Sequence, residues 1–179
     1  MQLKDAIQLL QPAQPQLKNR NRWADLGCGN GLFTKALAQL IDPGSIIYCV
    51  DNNQSSLNEI PKQYNEQVIE KVQADFVKDH LPLENLTGIL MANSLHFVKD
   101  KTVFLQKLNS YLLKEYCLII VEYDTHKANK WVPYPLSFQS LLNLFMATDK
   151  YKVTKLNEHS SIYNNGKMYS ALVQVADNK

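Results

Sequence analysis

The sequence predicts an α/β protein built on a doubly wound, mostly parallel, seven-stranded sheet with helices on both faces and an antiparallel C-terminal hairpin strand. Two observations favour this fold class. Short apolar runs alternate with amphipathic helical stretches up to residue 147, which is the order that parallel strands and crossover helices produce. Two strand-like runs, at about 151–158 and 167–175, then follow each other directly, and Asn164-Asn165-Gly166 between them is a hairpin-type turn.

The individual elements are recognised by their hydrophobic periodicity and by the residues that end them. In order, the pattern predicts a helix at 3–10, a strand from about 22, a helix at 31–41, a strand at 46–51, a helix from 52, strands at 67–75 and 86–93, a helix at 101–113, a strand at 117–123 and a helix at 136–147. Pro12 stops the first helix, because proline cannot donate the backbone hydrogen bond. The helix from 52 should carry Ile60 and Tyr64 on its later turns, and Pro61 should make it short or kinked.

Chain length and composition bound the organisation of the protein. At 179 residues the chain is long enough for one domain with a sizeable core, whereas two full domains would be crowded. A hydrophobic share of 45% and a charged share of 20% lie in the range of globular proteins. We therefore expect a single domain at 1–179, with an N-terminal helix and connector at 1–20 and the core sheet at 21–179.

Charge, hydropathy and cysteine usage favour a cytoplasmic protein with no membrane segment and no metal. A net charge of +2 is too small to argue for nucleic acid, and no apolar run approaches the roughly 18 residues of a membrane helix. The N-terminus lacks the charged-then-apolar layout of a signal peptide. Cys28, Cys49 and Cys117 are an odd count without C-x-x-C spacing, which predicts reduced thiols and neither a disulfide nor a zinc site.

A glycine-rich turn between the first strand and the next helix carries the main functional signal. Asp25, Gly27, Gly29 and Gly31 stand in the pattern Asp-x-Gly-x-Gly-x-Gly. Glycine lets a ligand approach the backbone closely, and the free N–H groups of a helix start favour a polar small molecule. A dinucleotide site needs G-x-G-x-x-G, but the position of its third glycine is occupied by Leu32, so the spacing argues against NAD.

At these residues the chain resembles the class I S-adenosylmethionine-dependent methyltransferases, whose first motif it matches at Asp25, Gly27, Gly29 and Gly31. The charges agree with the resemblance, because a carboxylate at the turn would repel a pyrophosphate but tolerates the sulfonium and ammonium groups of S-adenosylmethionine. The resemblance implies S-adenosylmethionine as the cofactor, bound in part by these residues and by Cys28 within the turn. It also implies a seven-stranded sheet whose last strand is reversed.

The ends of the following strands add candidate cofactor residues, because ligands of open α/β sheets bind beyond the carboxyl ends of the strands. The Asp51 carboxylate can accept both ribose hydroxyls of an adenosine, as it would in an NAD-binding protein, and Asn52 could pack against or bond to the adenine. The resemblance places the adenine at Asp75 and Phe76, and the methionyl part at the backbone carbonyl of Asn93. The plain alternatives are an acid that caps the next helix and an aromatic ring that belongs to the core.

The chemistry that this resemblance implies is an in-line displacement on a sulfonium, in which the protein chiefly positions the reactants. No catalytic triad is therefore expected, and a base helps only where the acceptor must lose a proton. The candidate catalytic residues are His96, after the fourth strand, and Tyr123 and Asp124, at the end of the fifth, with His126 as a further base. The segment 131–138, rich in aromatic residues and proline, either faces the substrate or covers the core.

These features favour methyl transfer to a small molecule, because little of the chain lies outside the core sheet to recognise a polymer. Residues 93–96, Asn-Ser-Leu-His, depart from the Asn-Pro-Pro-Tyr motif of enzymes that methylate DNA adenine or protein glutamine. Three alternatives stay open: an NAD-dependent enzyme on the same sheet, a methyltransferase-like module that transfers nothing, and an RNA or protein methyltransferase. The last would use a basic rim of Lys18, Arg20, Arg22, Lys99, Lys101, Lys127 and Lys130. Nucleic acid is not the expected partner, and a monomer or homodimer is expected.

Overall fold

The strands of the protein form an eight-stranded sheet with the order β3-β4-β2-β1-β5-β6-β8-β7. This computed structural model describes residues 1–146, 150–160 and 166–176. The strands are β1 (Arg22–Leu26), β2 (Ile46–Asp51), β3 (Gln63–Tyr64), β4 (Gln67–Gln73), β5 (Leu86–Ala92), β6 (Leu112–Tyr123), β7 (Tyr151–Ser160) and β8 (Lys167–Val175). The helices are α1 (Leu3–Leu10), α2 (Leu32–Ala38), α3 (Gln54–Asn58), α4 (Lys101–Leu108) and α5 (Phe138–Met146), with 3-10 helices at Gln11–Leu17 and Leu95–Phe97.

The strand directions confirm the predicted fold class. The strands β4, β2, β1, β5 and β6 pair in parallel, whereas β8 runs antiparallel to both β6 and β7. The C-terminal hairpin is therefore confirmed. The sheet has eight strands where seven were predicted, because the two-residue β3 adds antiparallel to β4. The hairpin turn predicted at 164–166 includes residues 164 and 165, which lie outside the described residues.

Alternate residues of the central strands face two apolar cores, one on each side of the sheet. The fully buried Trp23 packs in a cluster with the buried residues of α1 and α2. Its neighbour Ala24 and the next alternate residue, Leu26, belong to a second cluster that includes the buried residues of α4 and α5. Because successive side chains of a strand point to opposite faces, this division places helices on both faces of the sheet, as predicted.

The indole ring of Trp23 leaves no room for a side chain at Gly88 on the neighbouring strand. The two residues are register partners on β1 and β5, and a Cβ atom on Gly88 would lie 2.5 Å from the ring. We expect Gly88→Ala to lower the free energy of unfolding by about 1–3 kcal/mol, the usual cost of overpacking a core. Urea denaturation measures this change, with the exposed-site variant Thr154→Ala as control, and an unchanged midpoint would contradict the packing described here.

One predicted helix is shorter than its apolar pattern suggested, and the strand after it is longer. The helix α4 ends at Leu108 instead of continuing to 113, and β6 begins at Leu112 instead of 117. Tyr111 lies in the turn between them, where its N–H donates to the Leu108 carbonyl at 3.0 Å and its hydroxyl accepts a backbone N–H. Tyr111 is a buried aromatic residue of the turn, and it extended the apolar pattern of the sequence past the true end of the helix.

The helix α3 is capped by asparagine and short, as predicted, but it ends before its two expected apolar residues. The Asn53 side chain accepts hydrogen bonds from two backbone N–H groups, and the helix ends at Asn58. Ile60 and Tyr64 therefore lie outside it, the latter in β3. Pro61 separates the two elements, because its ring cannot continue a hydrogen-bonded helix.

The helix α5 begins at Phe138, two residues later than predicted, and its predicted last residue lies outside the described residues.

The N-terminal helix packs on α2 and against the C-terminal hairpin. The Asn157 side-chain amide of β7 donates to the Gln8 carbonyl at 2.9 Å, and the Ser170 hydroxyl of β8 donates to the Leu9 carbonyl at 2.6 Å. The predicted helix at 3–10 is thus confirmed and lies against the core, whereas the division into a single domain stays a prediction. Among the described residues, no helix combines the length and apolar character that crossing a membrane requires.

Candidate active site

The glycine turn after β1 adopts a backbone that ordinary residues rarely take. Gly27, Gly29 and Gly31 have φ angles of +77°, +53° and +82°. A Cβ atom on Gly27 would lie 2.6 Å from the Cβ of Ser94, and one on Gly31 would lie 3.0 Å from Ile60. At Gly29, by contrast, nothing lies within 4 Å of that position. The turn is therefore packed against the protein at its two ends and open in its middle, where a ligand can approach the backbone.

A cavity of about 510 Å³ opens beside this turn, at the carboxyl ends of the strands. Of the ten predicted cofactor residues, seven line it: Gly27, Gly29, Asp51, Asn52, Asp75, Phe76 and Asn93. Seven further residues complete the lining: Asn53, Ser56, Ala74, Val77, Lys78, Ser94 and Phe97. Of these, Ser94 and Phe97 lie in the segment after β5, and no sequence signal distinguishes Phe97 from its neighbours. The volume lies within the 300–1,000 Å³ typical of small-molecule sites.

The Asp51 carboxylate is held at the cavity wall by the backbone. Its Oδ2 accepts the Gly29 N–H and its Oδ1 accepts the Asn53 N–H, both at 2.8 Å. Each carboxylate oxygen can accept about two hydrogen bonds, so each keeps capacity for one more donor. Asp51 thus has a fixed orientation and two free acceptor positions, as two vicinal hydroxyl groups would require.

Asp75 and Phe76 line the cavity but also have structural partners of their own. Asp75 accepts the N–H groups of Val77 and Lys78 at 3.0 and 3.2 Å, and it pairs with the Lys78 ammonium at 2.8 Å. This hydrogen bond to Lys78 lowers the pKa of the Asp75 carboxyl below its ordinary value. The Phe76 ring is largely buried and meets Phe104 edge-on at 5.8 Å. Asp75 therefore caps a turn and not a helix, and the Phe76 ring belongs to the core, while both residues also line the cavity.

Asp25 lies beneath the turn and does not line the cavity. Its side chain is buried, and its Oδ2 accepts the Thr34 hydroxyl at 2.6 Å. Its Oδ1 is enclosed and has no hydrogen-bond partner in the described part of the chain. Burial, opposed by the Thr34 hydrogen bond and assisted by the charge of Asp51, raises the pKa of Asp25 to about 7. A cationic ligand above the turn would stabilise the charged form of this carboxyl.

Cys28 and Gly31, the other two predicted cofactor residues outside the cavity wall, shape the turn. The N–H of Cys28 donates to the Val50 carbonyl at 3.1 Å, and the N–H of Gly31 donates to the Cys28 carbonyl at 2.9 Å. Interaction with the neighbouring Cys49 thiol, together with burial, holds the pKa of the Cys28 thiol far above its ordinary value, so this thiol stays neutral. Within the described residues, no cluster of three or more His, Cys, Asp or Glu side chains could hold a metal ion.

A second cavity of about 570 Å³ shares one lining residue, Asn93, with the first. Asn93 has a left-handed φ of +54°, and its Oδ1, like the hydroxyl of Ser94, is enclosed without a partner among the described residues. The other lining residues of the second cavity are Met1, Gln2, Lys4, Asp5, Leu32, Phe33, Tyr123, His159, Ser160 and Met168. Of the residues that line the second cavity, the sequence analysis selected only Asn93 and Tyr123 as candidate site residues.

The three predicted catalytic residues occupy different surroundings. Tyr123 lines the second cavity. His96 and Asp124 line neither cavity: His96 is buried with its Nδ1 2.7 Å from the Glu122 carboxylate, and Asp124 accepts the Phe138 N–H at the start of α5. Sequence reasoning missed Glu122, although a carboxylate inside the apolar run of β6 was a visible signal.

The segment 131–138 lies outside the walls of both cavities. Its Tyr134 N–H donates to the His96 carbonyl at 3.0 Å, and the Lys101 ammonium donates to the Tyr134 carbonyl at 3.0 Å. Trp131 is 69% exposed. These contacts attach the segment to the residues that follow β5.

A mostly parallel sheet with this strand order, a glycine turn after β1 and a carboxylate at the end of β2 agree with the class I S-adenosylmethionine-dependent methyltransferases. The sequence matches the family model described as a methyltransferase domain over residues 24–120, which is more than half of the chain. The chain belongs to this family, and the resemblance seen at the glycine turn is confirmed. Asp51 could bind the adenosine of either NAD or S-adenosylmethionine, and membership of this family identifies S-adenosylmethionine as the cofactor.

Three solved structures, two of them of methyltransferases, share the fold. The N-methyltransferase NodS from Bradyrhizobium japonicum superposes with a TM-score of 0.71 at 14% identity, over 97% of this chain and 96% of that one. An S-adenosylmethionine-dependent methyltransferase from Aquifex aeolicus has a TM-score of 0.66 at 15% identity, over 97% of both chains. The YcgJ protein from Bacillus subtilis has a TM-score of 0.69 at 10% identity, over 98% of this chain and 100% of that one. No curated protein matches the sequence.

Proposed function

We propose that this methyltransferase acts on a small-molecule acceptor by in-line displacement. The observation that carries the proposal is a pair of cavities that share Asn93 in their walls, one beside the glycine turn and one lined in part by the N-terminal helix. Two adjoining small-molecule sites are what a transfer between two small molecules requires. S-adenosylmethionine supplies a methyl group already activated on a sulfonium, so the protein chiefly has to position it.

The residues of the first cavity fit this cofactor. Asp51 offers two acceptor positions for the ribose hydroxyls, and Asn52, Asp75 and Phe76 take the adenine end. At the other end, the open middle of the glycine turn receives the amino-acid part. The buried Asp25 oxygen, which has no hydrogen-bond partner among the described residues, favours the positive charge that the cofactor carries.

Among the proposed catalytic residues, the contacts favour Tyr123, because it alone lines the second cavity. His96 is proposed as a base because Glu122 engages its Nδ1 at 2.7 Å. Such a pairing fixes the ring orientation and one tautomer. Asp124 has the weakest support, since it caps the start of α5.

Calorimetry with S-adenosylhomocysteine, followed by assays of its formation from S-adenosylmethionine with a metabolite panel, tests the proposal. At 100 times its Kd the ligand should stabilise the fold by about 2.7 kcal/mol, and NADH, as control, should not. Stabilisation by NADH alone would contradict the proposed cofactor site. Binding without turnover across the panel would favour a non-catalytic module, and salt-dependent association with RNA would favour a polymer acceptor.

A further inference from the structure

We propose that Lys107 of α4 is a positioning residue for the cofactor, and that its ammonium group sets the preference of the site for adenine over other bases. The inference rests on the proposed function and deepens it, because it assigns base selectivity to a residue that lines neither cavity. It follows from the shape of the loop after β4, from the contacts of Lys107 with this loop, and from the attachment of α4 to the core.

The loop between β4 and β5 forms one side of the first cavity. The N–H of Asp79 donates to the Asp75 carbonyl at 2.8 Å, and the Asp79 carboxylate accepts the Asp75 N–H at 2.8 Å. These two bonds close a turn at 75–79. The turn lies outside the helices and strands, so its other carbonyls need partners elsewhere. The loop residues that line the first cavity are Ala74, Asp75, Phe76, Val77 and Lys78.

The ammonium group of Lys107 supplies partners for three carbonyls of this turn. Its Nζ donates to the carbonyls of Phe76 and Val77, both at 3.1 Å. The same atom donates to the Asp79 carbonyl at 2.5 Å. An ammonium group has three N–H donors, and hydrogen bonds from a charged donor are about twice as strong as neutral ones. Lys107 therefore ties the backbone of the turn to one point on α4.

A second contact between α4 and the turn lies beside the first. Phe104 precedes Lys107 by three residues, so both side chains lie on the same face of the helix. The Phe104 ring meets the Phe76 ring edge-on at 5.8 Å. This ring contact positions the Phe76 side chain, whereas Lys107 positions the backbone carbonyls of the turn.

The ion pair between Asp75 and Lys78 does not replace this attachment. Both residues belong to the turn itself, and the Lys78 side chain is 81% exposed. An exposed ion pair contributes little, and one inside the turn cannot hold the turn against the rest of the protein. Lys107 instead extends from a helix whose Phe104 and Leu108 are buried in the core. The turn is thus ordered before a ligand arrives, which avoids an entropic cost on binding.

The base that the turn selects depends on where the Asp75 carboxylate is held. A carboxylate accepts hydrogen bonds, so it favours the exocyclic amine of adenine and disfavours the carbonyl that hypoxanthine carries in its place. Asp75 Oδ2 accepts the Lys78 ammonium at 2.8 Å and keeps capacity for one more donor. A turn that is free to shift would move this carboxylate away from a carbonyl. Lys107 therefore acts on selectivity as well as on affinity.

Titration calorimetry with S-adenosylhomocysteine and S-inosylhomocysteine, which carries hypoxanthine, tests the inference. We expect the unmodified protein to prefer S-adenosylhomocysteine about tenfold, the value of one hydrogen bond. Lys107→Met removes the three donors and keeps the length of the side chain. It should weaken S-adenosylhomocysteine about tenfold and S-inosylhomocysteine less than threefold, so that the preference falls below threefold. A general loss of stability would weaken both ligands equally.

Two further variants complete the series. Lys107→Gln keeps two N–H donors and should give a preference between those of the unmodified protein and Lys107→Met, and it carries the test if Lys107→Met does not fold. Lys114→Met is the matched control, because Lys114 is exposed and lines neither cavity, and it should change neither Kd.

Hydrogen exchange of the unliganded proteins shows whether Lys107 acts through the turn. Amide exchange at 75–79 should become at least tenfold faster in Lys107→Met, while exchange in the glycine turn at 27–31 should stay within twofold. Exchange at 75–79 that does not change would overturn the inference, whatever the affinities show.

Three calorimetric results would also overturn it while S-adenosylhomocysteine still binds the unmodified protein. These are a preference below threefold in the unmodified protein, a preference that Lys107→Met leaves unchanged, and an equal loss of affinity for both ligands. Failure of S-adenosylhomocysteine to bind the unmodified protein would instead count against the proposed function, so the two failures are distinguishable.

Discussion

Replacement of Asp51 by alanine is expected to weaken the binding of S-adenosylhomocysteine by about a hundredfold. The reason is the loss of two hydrogen bonds from ribose hydroxyls to an ionised acceptor, together worth roughly 3 kcal/mol. Titration calorimetry measures the Kd directly. Asp51→Asn keeps one acceptor oxygen and should lose less.

The control for this prediction is Glu59→Ala, which removes an exposed acid near α3 that lines neither cavity. Its Kd should match that of the unmodified protein. Because Asp51 also accepts the N–H groups of Gly29 and Asn53, thermal unfolding of the unliganded variants shows whether the turn still folds. A folded Asp51→Ala protein whose Kd changes less than threefold would contradict the proposed role.

Replacement of Asp25 by asparagine is expected to flatten the dependence of stability on pH. The pKa of Asp25 is about 7 in the folded protein and 3.8 as its ordinary value, so the folded state binds the proton more tightly. The contribution of this group is therefore most favourable at low pH and is lost as the pH rises from about 4 through 7. The expected loss is about 1.4 kcal/mol per pH unit and roughly 4 kcal/mol in total.

Urea denaturation at several pH values between 4 and 8 measures this difference. The unmodified protein and Asp25→Asn share every other ionisable group, so the difference between their pH profiles isolates Asp25. Thr34→Val is the companion variant: it removes the hydrogen bond that opposes the shift, and should extend the pH-dependent loss further. A constant difference between Asp25→Asn and the unmodified protein across this range would show that Asp25 is ionised throughout.

The first cavity could be predicted because its residues are marked by local sequence signals. The pattern at Asp25, Gly27, Gly29 and Gly31 identifies a turn, and the carboxyl ends of parallel strands meet at one edge of the sheet. These two facts place Asp51, Asp75 and Asn93 near the turn without any knowledge of side-chain positions. The pattern does not distinguish the residues that line the cavity from those that support its walls. Asp25, for example, supports the turn from beneath it and does not line the cavity.

The second cavity could not be predicted, because no local signal marks it. Its strand wall depends on the register that sets Met168 between Tyr123 and His159, and a sequence pattern does not fix register between strands far apart in the chain. Its other walls use Leu32 and Phe33, which look like ordinary core positions of an amphipathic helix. Likewise, His96 has the loop position of a base, but only the fold reveals that Glu122 engages it.

The order of the strands also bears on how copies of this protein meet in solution. At one edge of the sheet β3 has only two residues, and at the other β7 presents the exposed lysines Lys152 and Lys155. A short edge strand and charged edge residues both disfavour the addition of a strand from a second molecule. The sheet is thereby protected at both margins from the pairing that leads to aggregation.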